Sequence, residues 1–220
     1  MTIQLYFAPG ACSFVPHVLL EAAGAAFEPM MVKLHKGEQH GEAYKAINPR
    51  GQVPVLVDSG ETITQIIAIV SYISDLFPQM HYLPSQPLAK ARVLQTLAWM
   101  NNTVHPTFTH IFMPQKFTDN PAIHADLKSY NTPLLAQQLA DIEALASAAQ
   151  TQGRAFLMGD ALGPIDAYAI TLLRWGSMSG IDPTGFACAW AHVQKLAAMP
   201  AVARVIERER LQLNLFPSQS

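Results

Sequence analysis

The chain has 220 residues, 50% of them hydrophobic, and a formal net charge of −2 at neutral pH. A chain of this length can bury a large apolar core and needs no disulfide to fold. The small negative charge offers no basic surface for nucleic acid. No apolar run approaches the ~20 residues of a membrane-spanning helix. Small molecules or proteins are therefore the expected partners.

The cysteine content indicates the compartment. The chain has two cysteines, Cys12 and Cys188, and no charged-then-apolar leader. This usage favours a reducing cytoplasm over a disulfide framework. Cys188 lies among small apolar residues and is interpreted as an inert buried thiol.

The first 80 residues alternate short strand-like runs with helical ones. Apolar alternation predicts strands at 3–7, 27–34, 55–57 and 62–63, whereas 3.6-residue periodicity predicts helices after Pro9-Gly10 and over 64–76, the second capped by Thr64. A weak helical turn is predicted at 43–47. The order is βαβ followed by ββα, and the βαβ unit implies a parallel strand pair.

The remainder of the chain shows only helical periodicity. A proline-containing linker covers residues 81–88, and helices are predicted at 88–104, 122–149, from Pro164 onward, 187–199 and 201–211. The first of these is expected to end before His105, because a proline disfavours helical geometry in the residue that precedes it. The predicted fold class is α/β plus all-α, with an N-terminal domain at 1–80 and a helical domain at 89–220.

Cys12 lies where the first helix begins. Unpaired N–H groups and the helix dipole favour a thiolate there, so the thiol is expected to be more acidic than a free cysteine. Val15 occupies the last position of a would-be Cys-x-x-Cys pair, so the thiol needs an outside partner, of which glutathione is the commonest. The alternative is that Cys12 is an inert, small apolar residue of the core.

Several stretches together resemble one known family. They are residues 9–13 with Pro16-His17, residues 48–54, Thr64-Gln65 with Ala68-Ile69, residues 101–105, and Asp166-Ala167-Tyr168. The chain resembles a cytosolic glutathione S-transferase, closest to the bacterial beta class. The resemblance implies a thioredoxin-like glutathione-binding domain, a helical domain with a hydrophobic second-substrate site, and a homodimer.

The resemblance also assigns site residues. It implies a cis bond before Pro54, with the Val53 N–H and C=O paired to the cysteinyl part of glutathione; the alternative is an ordinary trans proline leading into an edge strand. The implied catalytic residues are Cys12, Ser13 and His105. The implied glutathione-binding residues are Ala11, Lys36, Gln52, Val53, Pro54, Gln65 and Ile66. Histidine spacing gives no sign of a metal site.

One residue departs from the family pattern. Gln65 stands where beta-class members usually carry Glu and would hold the γ-glutamyl amine, but the next position, usually Ser, Thr or Gly, is Ile66. Either Ile66 is buried in the helix and leaves the N-terminal N–H groups open to the γ-glutamyl carboxylate, or it blocks that site.

The histidines leave alternatives open. His105 could face the thiol and accept its proton, or it could satisfy a carbonyl at the end of a helix. His17 is expected to be structural and to bond the backbone. Tyr168 and Trp175 are interpreted as core or as the floor of a pocket.

The main prediction is a glutathione transferase acting on small electrophilic or hydrophobic substrates. In one chemistry Cys12 and Ser13 assist the glutathione thiolate, which attacks an electrophilic carbon. In the other, Cys12 forms a mixed disulfide with glutathione and the protein is a thiol-disulfide oxidoreductase or peroxidase. A third hypothesis is a non-catalytic binding or regulatory protein on the same scaffold.

Overall fold

A computed structural model describes residues 2–217 of the chain. The N-terminal part contains four strands and three helices in the predicted order. Their bounds are β1 Ile3–Phe7, α1 Phe14–Ala22, β2 Phe27–Met31, α2 Glu42–Lys45, β3 Val55–Asp58, β4 Glu61–Thr64 and α3 Ile66–Leu76.

The four strands form one sheet in the order β2-β1-β3-β4. β1 pairs with β2 in parallel and with β3 antiparallel, and β3 pairs antiparallel with β4. This confirms the predicted βαβ-ββα topology. The second strand is shorter than predicted, because the chain turns into a 3-10 helix at Leu34–Lys36 and then passes through Gly37 at φ 73°.

The C-terminal part is helical, as predicted. Its helices are α4 Pro87–Trp99, α5 His105–Phe112, α6 His124–Thr151, α7 Pro164–Met178, α8 Ala187–Ala197 and α9 Pro200–Glu209. None of the helices in residues 2–217 is both long and apolar enough to cross a membrane. Since α4 starts at Pro87, inside the predicted linker, the domain boundaries at 80 and 89 stay a prediction.

The chain does not leave the helical conformation before Pro106, so the predicted end of the helix is wrong. α4 continues into α5 through a π-helical turn at Met100–Val104, in which the His105 N–H donates to the Met100 carbonyl, five residues back. The wider turn starts a new hydrogen-bond register. Pro106 therefore lies in the first turn of α5, the part of a helix that tolerates a proline best.

One core joins the sheet to the helices. α7 runs through its centre, and every residue from Pro164 to Leu173 is buried. Side chains of β1, α1, α4 and α7 belong to the same apolar cluster, including Leu5, Leu19, Leu97 and Tyr168. The two parts of the chain are therefore expected to unfold together.

A second connection between the two parts is polar and buried. The Gly10 N–H donates to Glu209 Oε2 at 2.8 Å, and the Gly10 carbonyl accepts from Trp175 Nε1 at 2.9 Å. The other oxygen of Glu209 lies 2.7 Å from His17 Nδ1, with both side chains fully buried. His17 is structural as predicted, but it bonds side chains of α9, Glu209 and Arg208, and not the backbone.

Glu209→Ala should lower the free energy of unfolding by about 3–5 kcal/mol, because it leaves a buried imidazole and a buried N–H without their partner. Urea unfolding followed by circular dichroism measures the change. Glu207→Ala, on the exposed face of the same helix, is the control and should change stability by less than about 0.5 kcal/mol. Equal losses in the two variants would contradict a special role for Glu209.

Candidate functional site

The chain just before β3 offers backbone groups to a ligand. The peptide bond between Val53 and Pro54 is cis, so the ordinary trans proline is ruled out. The Val53 carbonyl accepts from Cys12 Sγ at 3.6 Å, and the Val53 N–H donates to no group within residues 2–217. Because a carbonyl has two lone pairs, Val53 retains a donor and an acceptor for an extended peptide-like ligand.

Two side chains hold this segment in place. Tyr44 Oη and Asn48 Nδ2 both donate to the Gln52 carbonyl, at 2.7 and 2.8 Å. Asn48 belongs to the motif recognised in the sequence, whereas Tyr44 was not singled out there. Nothing in the sequence indicated this hydrogen bond, because Tyr44 lies in a four-residue helix and its acceptor is in a loop eight residues later.

Cys12 is less acidic than a free cysteine, which makes the sequence prediction wrong. Burial raises the pKa of its thiol to about 12, although nearby backbone N–H groups and the charge of Lys116 favour the thiolate. The side chain is only 7% exposed. The thiol also lies one residue before Ser13, the N-cap of α1. Desolvation therefore outweighs the helix dipole, and Cys12 is a neutral S–H donor at neutral pH.

Ser13 stabilises the turn that carries Cys12. Its hydroxyl accepts from the Ala8 N–H at 3.1 Å and donates to the Ala8 carbonyl at 3.2 Å, and the residue is fully buried. The hydroxyl is therefore engaged in holding the turn, and its predicted role as a donor to the glutathione sulfur stays a prediction. Ala11, half-buried beside it, closes the turn by donating its N–H to the same carbonyl.

His105 is a neutral imidazole in contact with Tyr168. Burial, with a smaller contribution from Lys116, lowers the pKa of His105 to about 4. Its Nδ1 lies 2.9 Å from Tyr168 Oη, and that hydroxyl donates to Asn101 Oδ1 at 3.4 Å. Since His105 begins α5 and its ring bonds a side chain, the interpretation that it satisfies a helix-terminal carbonyl is wrong.

These side chains share one environment. Lys116 lowers the pKa of both Cys12 and His105, and Cys12 helps burial to raise the pKa of Tyr168. Trp175 packs against the His105 ring at 4.7 Å between centroids. The sequence predicted Tyr168 and Trp175 only as core or pocket floor. It did not indicate Lys116, because a lysine in a loop between helices is ordinarily a solvated side chain.

The start of α3 lies at the end of β4. Thr64 ends the strand, so the predicted Thr64 cap is wrong; Gln65 is the N-cap, with φ 73° and no side-chain hydrogen bond to the helix. Ile66, only 3% exposed, packs into the core. The Gln65 side chain is exposed at the start of α3, whereas the Ile66 side chain is turned into the core.

The remaining predicted residues lie at the surface. Lys36 ends a 3-10 helix and is exposed, and so is the Gln52 side chain. Neither side chain contacts the Cys12–His105 centre through a hydrogen bond in the described part of the chain. Among residues 2–217, no cluster of three or more His, Cys, Asp or Glu side chains is placed to hold a metal ion.

Known proteins match this chain over nearly its whole length. Residues 1–75 match the glutathione S-transferase N-terminal domain. The glutathione S-transferase GST-4.5 of Xanthomonas campestris pv. campestris is 30% identical over 215 residues, covering 95% of this chain and 100% of the relative. The chain belongs to the glutathione S-transferase family.

Solved transferases have the same fold. A sphingomonad glutathione S-transferase complexed with glutathione has a TM-score of 0.80 at 31% identity, covering 95% of this chain and 100% of that one. A bacterial beta-class transferase from Sphingomonas chungbukensis has a TM-score of 0.80 at 27% identity, with the same coverage. The resemblance found in the sequence is confirmed, and with it the main prediction of a glutathione transferase.

In this transferase, alkylation of Cys12 by iodoacetamide at pH 8 should be about 1,000-fold slower than that of a free cysteine, because almost none of a thiol with so high a pKa is ionised. Peptide mapping by mass spectrometry separates Cys12 from Cys188. In urea the Cys12 rate should return to that of a free thiol. Rapid modification of Cys12 in the folded protein would mean that it carries a thiolate.

Proposed function

We propose that this transferase conjugates glutathione to small apolar electrophiles, with the reacting sulfur held between the Val53 backbone and His105. One observation carries the proposal: the Val53 backbone keeps an open donor and acceptor beside the Cys12 thiol, and the charge of Lys116 acts both on that thiol and on the neutral imidazole of His105. An open backbone pair fits a peptide ligand, and a neutral imidazole can accept a thiol proton.

Glutathione would lie along the N-terminal part of the chain. Its cysteinyl part would pair with the N–H and C=O of Val53, which adds a one-residue strand. Its γ-glutamyl end would meet the Gln65 side chain and the N–H groups at the start of α3, which favour a carboxylate. The glycyl carboxylate would lie near Lys36 or Gln52. Burial of Ile66 in the core supports an open γ-glutamyl site.

His105 would be the proton acceptor. With its Nδ1 proton donated to Tyr168, which in turn donates to Asn101, the Nε2 lone pair is free to face the glutathione thiol. Nε2 takes the thiol proton, the sulfur bonds to the electrophilic carbon, and the leaving group departs with its electron pair. The imidazolium then returns the proton to water, which its low pKa favours.

Cys12 would assist as a neutral neighbour. Its S–H donates to the Val53 carbonyl and could donate to the developing thiolate of bound glutathione. The alternative chemistry, a mixed disulfide at Cys12, requires a nucleophilic thiolate at that position. The raised pKa of Cys12 disfavours it. Burial of Ile66 in the core also disfavours the non-catalytic alternative, because that alternative requires its side chain to fill the γ-glutamyl site.

The assembly and compartment are part of the proposal. The resemblance implies a homodimer, and the exposed Leu88 on α4 and Tyr130 on α6 are large apolar side chains that a second copy could cover. Cys12 and Cys188 are both free, in separate parts of the fold. Free thiols suit the reducing cytoplasm.

Reduced glutathione should raise the melting temperature progressively as its concentration increases. At a glutathione concentration 100 times the dissociation constant, binding should add about 2.7 kcal/mol to the free energy of unfolding. Gln65→Ala should weaken binding about 10- to 100-fold through the loss of a hydrogen bond to a charged group. Gln194→Ala, exposed on α8, is the matched control and should bind like the wild type. No shift in the wild-type protein would overturn the proposed function.

His105→Gln should lower kcat/KM about 10- to 100-fold at pH 6.5 and much less near pH 9, where water alone ionises the glutathione thiol. A plot of the wild-type kcat/KM against pH should show no inflection from His105 near pH 6.5, because the pKa of that residue is about 4. His124→Gln, at the start of α6, is the control. A deficit that stays the same at every pH would assign His105 a structural role only.

A further inference from the structure

The hydroxyl of Tyr168 lies between two side chains of the helical stretch that joins α4 to α5. Tyr168 Oη is 2.9 Å from His105 Nδ1 and 3.4 Å from Asn101 Oδ1. The Tyr168 side chain is fully buried, so these two neighbours decide the direction of its O–H bond. A phenol has one proton, which it can donate to only one of them.

Asn101 presents an acceptor to Tyr168, and Asn102 holds it in that orientation. Asn101 Nδ2 donates to Asn102 Oδ1 at 2.8 Å. Because the oxygen and the nitrogen of an amide point in different directions, this hydrogen bond leaves Asn101 Oδ1 facing the Tyr168 hydroxyl. An amide oxygen accepts hydrogen bonds and donates none. A reversed Asn101 amide would offer N–H donors to the same hydroxyl.

The orientation of Asn101 determines the direction of the hydrogen bonds that end at His105. If Tyr168 donated to His105 Nδ1, its oxygen would face Asn101 Oδ1 as one acceptor against another. If Tyr168 donates to Asn101, it accepts from the Nδ1–H of His105, and each of the three groups has a matching partner. The second arrangement places the proton of the neutral imidazole on Nδ1 and the lone pair on Nε2.

We propose that Asn101 and Asn102 are positioning residues that fix the tautomer of His105. Both act through Tyr168, because neither hydrogen-bonds the imidazole in the described part of the chain. A reversed Asn101 amide would make Tyr168 donate to Nδ1, so the imidazole proton would move to Nε2. An imidazole that carries its proton on Nε2 has no lone pair there for the thiol proton.

The inference rests on the proposed function, in which Nε2 of His105 accepts the proton of the glutathione thiol. It adds the two residues that keep Nε2 unprotonated before the thiol arrives. Both lie in the π-helical turn Met100–Val104, outside the residues proposed to bind glutathione. Asn102 is exposed, so the orientation of a buried base is set by a side chain at the surface.

Nitrogen-15 NMR of protein labelled at histidine reads the tautomer directly. At pH 7.5 the ring of His105 is neutral, because its pKa is about 4. The signals that disappear in His105→Gln are those of His105. A protonated ring nitrogen and one with a lone pair differ in chemical shift, and couplings to the ring protons distinguish Nδ1 from Nε2. The wild-type protein should carry the proton on Nδ1.

Asn101→Leu should move the proton to Nε2, because an apolar side chain of similar shape leaves His105 Nδ1 as the acceptor for the Tyr168 hydroxyl. Asn101→Asp keeps an acceptor and should retain the proton on Nδ1. Asn102→Ala should give a mixture of the two tautomers, since it releases the Asn101 amide. Thr103→Ala, exposed in the same turn, is the control and should match the wild type.

Conjugation of glutathione to 1-chloro-2,4-dinitrobenzene tests the consequence. The sulfur bonds to the carbon that carries chlorine, chloride leaves with the bonding electrons, and the thiol proton goes to His105 Nε2. Asn101→Leu should lower kcat/KM about 10- to 100-fold at pH 6.5 and much less near pH 9, where water alone ionises the thiol. Asn101→Asp should restore the rate at pH 6.5, and glutathione should raise Tm equally in all variants.

A proton on Nε2 in the wild-type protein would overturn the inference, and so would a proton that stays on Nδ1 in Asn101→Leu. A rate loss in Asn101→Leu that is equal at every pH would also contradict it, because a disturbed fold gives that result. Failure of the proposed function looks different. The tautomer is measured without glutathione, whereas that failure would show as a wild-type protein with neither a glutathione-dependent thermal shift nor turnover.

Discussion

The site depends on two hydrogen bonds to the backbone of Gly10. The N–H is held by Glu209 from α9 and the carbonyl by Trp175 from α7, so helices near the end of the chain set the position of the turn that precedes Cys12. Gly10 has φ +68°, and an added Cβ would lie 2.6 Å from Arg174 Nη1. A glycine is needed here for its backbone conformation, because other residues are strained at this φ, and an added Cβ would also displace the Arg174 guanidinium. The helical part therefore fixes the position of the turn that carries the thiol, in addition to packing against it.

Burial decides the charge states of the centre. Desolvation raises the pKa of Cys12 to about 12 and lowers that of His105 to about 4, so both groups lose their charge near neutral pH. A neutral thiol and a neutral imidazole form no thiolate–imidazolium pair, so the imidazole is not already protonated and its lone pair can accept a proton. The arrangement favours proton transfer from a thiol that arrives from outside over ionisation of the protein's own thiol.

The sequence predicted the order of elements well, because periodicity and turn residues are local signals. The turn at Pro9-Gly10, the strands and the start of α7 at Pro164 are of this kind. It failed where the outcome depends on distant residues. The acidity of Cys12 is reversed by burial that helices far along the chain complete, and Gln65, not Thr64, precedes α3 because β4 extends through Thr64. Lys116 was missed because only tertiary packing brings its charge near the site.

The π-helical turn at Met100–Val104 lies between α4 and α5, which otherwise form one continuous helix. It changes the direction in which the side chains of α5 point relative to those of α4. A residue in an α-helix turns the chain by about 100°, so one residue more in a single turn rotates everything after it relative to what came before. Leu97 of α4 faces the core, and His105 faces Tyr168. The direction of the imidazole is therefore encoded by chain length: removal of one residue between Trp99 and Val104 would turn it away even if every side chain of the site were kept.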